Sequence, residues 1–248
     1  MKLVLFDIDG TLLDSGGAGV KAMNAAFCEL FSGAAPSSSG MPFAGQPFKG
    51  IKMAGKTDAE IVAEALSKHG IEADGRVPVF MDAYIRHLGV YIENSERRLK
   101  PGVREALNAL SLMRGAALGL LTGNIEKGAR IKLEPFGLNG YFPVGAFGSD
   151  SADRNSLLPI ALERFNRSLK TDQNGRIARL DQNGKHGPED CVVVGDTPRD
   201  VECAKLHGAR AIAVATGRYT AAELLRTEAD HVMEDLSDTP LFLRYLGF

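Results

Sequence analysis

The sequence predicts an α/β protein: an open, parallel sheet with helices on both faces, interrupted near its start by an inserted helical unit. Three observations carry this. The short apolar runs Leu3–Phe6, Ala116–Leu121, Cys191–Val194 and Ala211–Val214 are nearly continuous rather than alternating, as strands covered on both faces should be. From Pro101 onward such runs alternate with segments of helical period. Between the first run and the second, residues about 16–97 show helical period and no convincing strand.

Leu3–Phe6 runs directly into Asp7-Ile8-Asp9-Gly10-Thr11-Leu12-Leu13. An apolar run this short that ends in acids and glycine reads as a buried strand opening into a turn. Asp7 and Asp9, two residues apart where a strand unravels, can lie near one locus. Held there they repel unless a cation or a shared proton compensates, which points to an acidic metal or acid/base site. After Gly16-Gly17, residues Val20, Met23, Phe27 and Leu30 recur at helical spacing, with Ala22 and Ala26 beside them. Residues 32–55 are rich in Ser, Gly and Pro and carry Phe43, Phe48 and Ile51, which reads either as a mobile connection or as a folded surface loop that packs its few aromatics. Thr57-Asp-Ala-Glu60 has the form of a capping box, followed by the apolar stripe Ile61, Val62, Ala65 and Leu66 and a stop at Gly70. A third helix, about 78–95, places Phe80, Tyr84, Leu88 and Tyr91 on one side.

Past the return linker at Leu99–Gly102 comes a helix marked by Val103, Leu107 and Leu110 and ending near Gly115. The strand Ala116–Leu121 follows, and Asn124 is placed to cap the next helix, which Pro135 stops. Val144–Phe147 reads as a strand and residues 155–165 as a helix. Thr197-Pro198-Arg-Asp200 reads as an N-cap, a proline at the first helical position and an acid at the third. The chain ends in a strand at His231–Met233 and a helix at about 239–246. Asn166 to Asp190 is longer than ordinary crossover loops and reads as an insertion. Its Asp172–Gly175 and Asp181–Gly184 repeats favour tight turns around Arg176–Leu180, and they lack the further ligands and terminal Glu of a calcium loop.

Gross properties narrow the function. The 248 residues suffice for a sizeable core, and a formal charge of -2 with interspersed signs gives no nucleic-acid footprint. No apolar run reaches the length needed to span a bilayer, and no signal segment is visible. Three dispersed cysteines, Cys28, Cys191 and Cys203, fit a reducing, cytoplasmic setting and argue against a disulfide framework or zinc cluster. The five histidines show no metal-ligand spacing.

Four stretches carry a resemblance. Asp7-Ile-Asp9-Gly-Thr11-Leu-Leu13 resembles the nucleophile motif of the haloacid dehalogenase superfamily of phosphohydrolases. Leu120-Leu-Thr122-Gly123-Asn124, a basic Arg154 before a helix, and Gly195-Asp196-Thr-Pro-Arg-Asp200 match its further motifs in order. The likeness is closest to the phosphoglycolate-phosphatase-like branch. It implies a Rossmann-like open parallel core, residues 1–15 and 98–248, and a helical C1-type cap over residues 16–97. It also implies Asp7 as a nucleophile that becomes an aspartyl phosphate, and Asp9 as the acid/base. Mg2+ would be held by Asp7, the Asp9 carbonyl and Asp196, with Asp200 supporting them. Thr122, Gly123, Asn124 and Arg154 would bind the phosphoryl group. Arg154 is a departure, since the superfamily more often has Lys there; Lys127 or Lys132 is the alternative basic residue. Lys56, beside Gly55 and the capping box, would read an acidic leaving group.

The implied activity is a magnesium-dependent phosphatase for a small phosphorylated metabolite, phosphoglycolate-like or a sugar phosphate, acting as monomer or homodimer. A β-phosphoglucomutase-like phosphomutase is the alternative, with the same residues and a cap that retains its substrate. A dehalogenase would lack the second aspartate supplied by Asp9. A phosphonate hydrolase would want a Schiff-base lysine in the cap, for which Lys56 is the one candidate. A non-enzymatic binding module has no need of concentrated like charge at residues 7, 9, 196 and 200.

Overall fold

The computed structural model describes residues 1–31, 46–169 and 186–248. In chain order these form β1 (Lys2–Phe6), β2 (Leu13–Asp14), α1 (Ala18–Phe31), α2 (Asp58–Lys68), α3 (Arg76–Tyr91), β3 (Arg98–Leu99), α4 (Val103–Ser111), β4 (Ala116–Thr122) and α5 (Glu126–Leu133). Then come β5 (Val144–Phe147), α6 (Leu157–Ser168), β6 (Cys191–Gly195), α7 (Pro198–Leu206), β7 (Arg210–Val214), α8 (Ala221–Leu224), β8 (His231–Met233) and α9 (Thr239–Leu246). The readings placed on Phe43 and on Asp172–Gly184 lie outside the described residues.

Six strands make one parallel sheet in the order β5-β4-β1-β6-β7-β8. The chain starts in the middle at β1, runs outward through β4 and β5, then returns to β6 on the other side. Strand order therefore reverses beside β1, and a crevice forms at the carboxyl ends of its neighbours. Alternation along β1 sorts the core into two layers. Val4 and Phe6 join residues of α4, α5 and α9, whereas Leu3 and Leu5 join residues of α6, α7 and α8. Both layers are buried, which is why these strands read as unbroken apolar runs.

Residues α1 to α3 close a third apolar cluster of their own, centred on Phe27, Phe48, Phe80 and Tyr84, to which the core contributes Ile125. The rings of Phe27, Phe48 and Phe80 meet at centroid separations of 5.9 to 6.5 Å. In α1 the buried stripe runs through Ala18, Ala22, Met23, Ala26, Phe27 and Phe31, while Val20 is exposed. The small alanines, rather than Val20, let α1 pack closely on α3. Just past the end of α3, Ile92 rather than Tyr91 completes the buried side.

The two linkers are paired rather than loose. β2 and β3 form an antiparallel two-stranded ribbon, Leu13 opposite Leu99 and Asp14 opposite Arg98, so the entry and exit of the helical insertion are tied side by side. Arg98 Nη2 donates to Asp14 Oδ2 at 2.8 Å across it.

Candidate active site

The acidic cluster grows out of the end of β1. Asp7 follows the last strand residue, and its N–H still donates to Val194 O of β6 at 3.0 Å. The chain then turns at Gly10, where φ is +88° and a Cβ would stand 2.4 Å from Asp196 Oδ2. Only glycine meets both demands. This turn brings Thr11 beneath β6, so that its Oγ1 donates to Asp196 Oδ1 at 3.0 Å. Asp200 comes from the first turn of α7, where Thr197 N and Oγ1 donate to its Oδ2 at 3.0 and 2.8 Å. The N-cap threonine and third-position acid read from the sequence thus also fix a site carboxylate.

Asp7, Asp196 and Asp200 are all buried, each with an oxygen within 4.8 Å of the others. Three carboxylates this close repel, and burial removes the water that would screen them. Burial pushes Asp7 up to about 6, against the attraction of Arg154, with Asp200 adding repulsion. Asp196 is raised well above the ordinary range, by burial first and then by Asp200 and Asp7. Arg154 is the protein's own answer. It enters at a short 3-10 turn before α6, is buried, and donates to Asp200 Oδ1, with Asp7 Oδ2 at 3.4 Å. Its Nε has no hydrogen-bond partner among the described residues. One guanidinium cannot balance three carboxylates. The hard oxygen donors of Asp7 and Asp196 suit a small divalent cation, with Asp200 already committed to Arg154 and Thr197.

A second group stands on the other side of β1. Thr122 ends β4 and is fully buried; its Oγ1 accepts from Asn124 N and Nδ2 at 3.3 and 2.9 Å, and its hydroxyl, near Asp7, favours the ionised form of that carboxyl. The sequence places Asn124 to cap the next helix. It caps nothing: α5 starts after Ile125 without a side-chain cap, because Asn124 Nδ2 turns back to donate to Asp9 Oδ2 at 2.8 Å. Lys132 joins them from α5, its Nζ donating to Asp9 Oδ2 and Asn124 Oδ1 at 2.6 Å each. Burial opposes the charge on Lys132, but Asp9 and Asp58 outweigh it and raise its pKa. Two of the three basic residues weighed in the sequence therefore stand in the site, Arg154 against Asp7 and Lys132 against Asp9. Lys127, the third, is exposed on the same helix.

The start of α2 closes over this group. Asp58 N donates to Gly123 O at 2.8 Å, and Ile125 N donates to Asp58 Oδ2 at 2.9 Å. A Cβ on Gly123 would lie 2.2 Å from Lys56 O, so glycine is needed for the two backbones to approach. Thr57 accepts from Glu60 N as the sequence implied, and its Oγ1 donates to Ala152 O at 2.8 Å. Glu60 does not complete the capping box. Its carboxylate reaches across to Arg199, at 2.7 and 3.2 Å, an ion pair stronger than a bond to one N–H. Lys56 lines the cavity, yet its ammonium is taken by Glu64, with Glu60 at 3.8 Å. These glutamates oppose the role given to Lys56, since a charge already paired attracts a leaving group weakly.

Between the two groups lies a cavity of about 450 Å³, bounded by Asp7, Asp9, Thr122, Asn124, Lys132, Arg154 and Asp196 below and by Met53, Lys56, Asp58 and Tyr84 above. Asp9 has its side chain 42% exposed toward it. Tyr84 is fully buried; burial, with Asp58 and Asp9 nearby, pushes its phenol well above the ordinary range, so it keeps its proton.

The profile of the haloacid dehalogenase-like hydrolases matches residues 1–208. The chain belongs to that family. Relatives similar across nearly the whole length include a phosphoglycolate phosphatase of Nitrosospira multiformis, 25% identical over 95% of this chain and 92% of its own. Another, from Vibrio vulnificus, is 24% identical over 96% and 93%. Among solved structures, CbbY from Rhodobacter sphaeroides in complex with phosphate superposes with a TM-score of 0.72 at 20% identity, covering all of both chains. A hydrolase from Pseudomonas syringae gives 0.66 at 20%, over 98% of each. At such identity the structural likeness speaks for the fold: a haloacid dehalogenase core of parallel strands. Among the described residues no helix is long and apolar enough to cross a membrane.

Asp58 stood outside the motif reading, and Lys132 entered it only as an alternative to Arg154. Lys132 shares a face with Gly128, Ala129 and Leu133, all buried, so a lysine at an apolar helix position was the signal. Asp58 likewise precedes Ile61, Val62 and Ala65 on the buried face of α2.

Proposed function

We propose that this hydrolase cleaves a small phosphate monoester in two steps, passing the phosphoryl group through Asp7. The observation that carries the reading is the division of labour at the end of β1. Asp7 is buried between Arg154 and Thr122, while Asp9, two residues on, opens to the cavity beside Lys132. In the first step an Asp7 oxygen attacks phosphorus and the bond to the leaving oxygen breaks; Asp9 gives that oxygen its proton. In the second, water attacks the acyl phosphate; Asp9 takes the proton back and phosphate leaves. Arg154 Nε and the backbone at Gly123 and Asn124 supply donors to the non-bridging oxygens. Thr122, whose hydroxyl favours the ionised form of Asp7, helps to hold the nucleophile.

Asp7, Asp196 and the Asp9 carbonyl fit Mg2+, with Asp200 holding Arg154 and the start of α7. Bound there, the ion would offset the charge of the carboxylates and of the phosphoryl oxygens. Residues 16–97 serve as a cap over the core formed by 1–15 and 98–248, excluding water during the first step. The names of the relatives make phosphoglycolate the first substrate to try.

The test is phosphate release from 2-phosphoglycolate and p-nitrophenyl phosphate, with Mg2+ and with chelator, by the native protein and by Asp7→Asn. The native protein should turn over with Mg2+ only. Asp7→Asn should lose at least about 10⁴-fold while keeping its melting temperature, since an amide is a poor nucleophile. Appreciable steady-state turnover by pure Asp7→Asn would exclude the covalent route.

A further inference from the structure

Tyr84 poses a problem that the proposed chemistry does not use. Its side chain is completely buried in the aromatic cluster of the helical insertion, yet its hydroxyl has no hydrogen-bond partner among the described residues. A buried hydroxyl without a partner is destabilising, and phenylalanine would pack the same ring without that penalty. Tyr84 lines the cavity together with Asp9, Asp58, Lys132 and Gly19.

Lys132 has a matching surplus. An ammonium carries three donors, and two are engaged by Asp9 and Asn124. Tyr84 comes from α3 and Lys132 from α5, on opposite walls, yet both converge on Gly19 of α1. A Cβ there would sit 3.5 Å from Lys132 Nζ and 3.9 Å from Tyr84 Oη. Gly19 has no side chain to occupy that corner. The corner adjoins Asp9, the residue from which the leaving oxygen would take its proton, so atoms beyond that oxygen run toward it.

We infer that Tyr84 Oη and Lys132 Nζ form the leaving-group subsite. They receive an acceptor oxygen on the carbon next to the ester-bearing one. This rests on the phosphatase reading and adds to it the class of substrate. A carboxylate or a hydroxyl at that carbon offers the same oxygen chemistry. Asp9 and Asp58 also face the corner, two acids against one lysine, and they bear on which of the two is preferred.

Three esters of equal length separate the cases: ethyl phosphate lacks the oxygen, 2-hydroxyethyl phosphate carries a hydroxyl, and 2-phosphoglycolate carries a carboxylate. The native enzyme with Mg2+ should favour at least one oxygen-bearing ester over ethyl phosphate by about tenfold or more in kcat/KM. Tyr84→Phe should erase most of that preference, lowering the favoured ester about tenfold and ethyl phosphate less than about twofold. Its melting temperature should hold or rise, because the hydroxyl has no bond to lose. The ester that suffers identifies the group. Equal losses on all three esters, no loss on any, or a native enzyme indifferent to the oxygen would each overturn the subsite while leaving the phosphatase standing. A native protein inactive on all three and on p-nitrophenyl phosphate would overturn both.

Discussion

Arg154 and Lys132 are both buried cations held by aspartates, but they serve opposite sides of the Asp7–Asp9 pair under different conditions. Arg154 sits among Asp7, Asp196 and Asp200, three carboxylates shut from solvent. Lys132 faces Asp9, whose side chain is 42% exposed. The first arrangement is an electrostatic knot in which every charge depends on another. The second is a wall with one side open to the cavity. A nucleophile and its phosphoryl group need fixed, dry charge, whereas a leaving group must arrive and depart past a proton donor.

That contrast should appear most strongly in stability. Arg154→Met leaves three buried carboxylates without their counter-charge and should cost about 3–5 kcal/mol in urea denaturation, with turnover lost. Mg2+ should restore part of that stability, since a cation bound only by the folded state raises it. Lys132→Met leaves Asp9 unpaired too, but Asp9 has water to turn to. The loss should stay near 1 kcal/mol while kcat falls about 10²-fold or more. Equal destabilisation by the two substitutions would show that the sides do not differ as the geometry implies.

The two sides also differ in how far the sequence disclosed them. The Asp7 side was legible because its residues lie at motif ends: Asp7 after β1, Thr122 after β4, Asp196 and Asp200 around the Thr197 cap. Each is fixed by its own strand or helix end, and local patterning reports such positions well. Lys132 and Tyr84 depend instead on where α5 and α3 come together across the insertion, and a lysine at an apolar helix position was the one local sign of it. Tyr84 looked like one more apolar stripe residue, since a phenol ring buries as phenylalanine does; only the position of one oxygen distinguishes it. Asn124 and Glu60 misled for a related reason. Both stand where caps belong, but each finds a charged partner, Lys132 or Arg199, that outcompetes a backbone N–H. The paired linkers of β2 and β3 were missed because a two-residue strand has no periodicity to read.

Asp58 sharpens the Lys132 side through its pH dependence. Burial, against the attraction of Lys132, moves it from 3.8 to about 6. The folded state therefore holds a proton that the unfolded chain releases between about pH 4 and 6. The stabilisation from that proton is complete below the unfolded value and lost as pH rises through about 6. Asp58→Asn keeps an acceptor for Ile125 N and removes the titration. It should be as stable as the native protein near pH 4 and more stable by about 2 kcal/mol at pH 7.5. A native stability profile that is flat across this window, or matched by the variant's, would show that Lys132 already neutralises Asp58 in full.

The smallest effect concerns what joins the two sides. Arg199 of α7, one residue before Asp200, grips Glu60 of α2 with two hydrogen bonds, and α2 also carries Asp58 over the Lys132 wall. The pair is half-exposed, 41% and 33%, so its loss in Arg199→Ala should cost less than about 1 kcal/mol. Its mechanical consequence differs from its thermodynamic one. If the insertion closes on the core at this contact, weakening it lowers the closed fraction, and apparent substrate affinity falls in proportion. KM should rise by up to about fivefold, with kcat unchanged, or higher where product release limits turnover. Raising salt on the native enzyme should move KM in the same direction by screening the same pair, and should do less to Arg199→Ala. A fall in kcat at constant KM would place Arg199 with the Arg154 knot through its neighbour Asp200, not with the closure of the insertion.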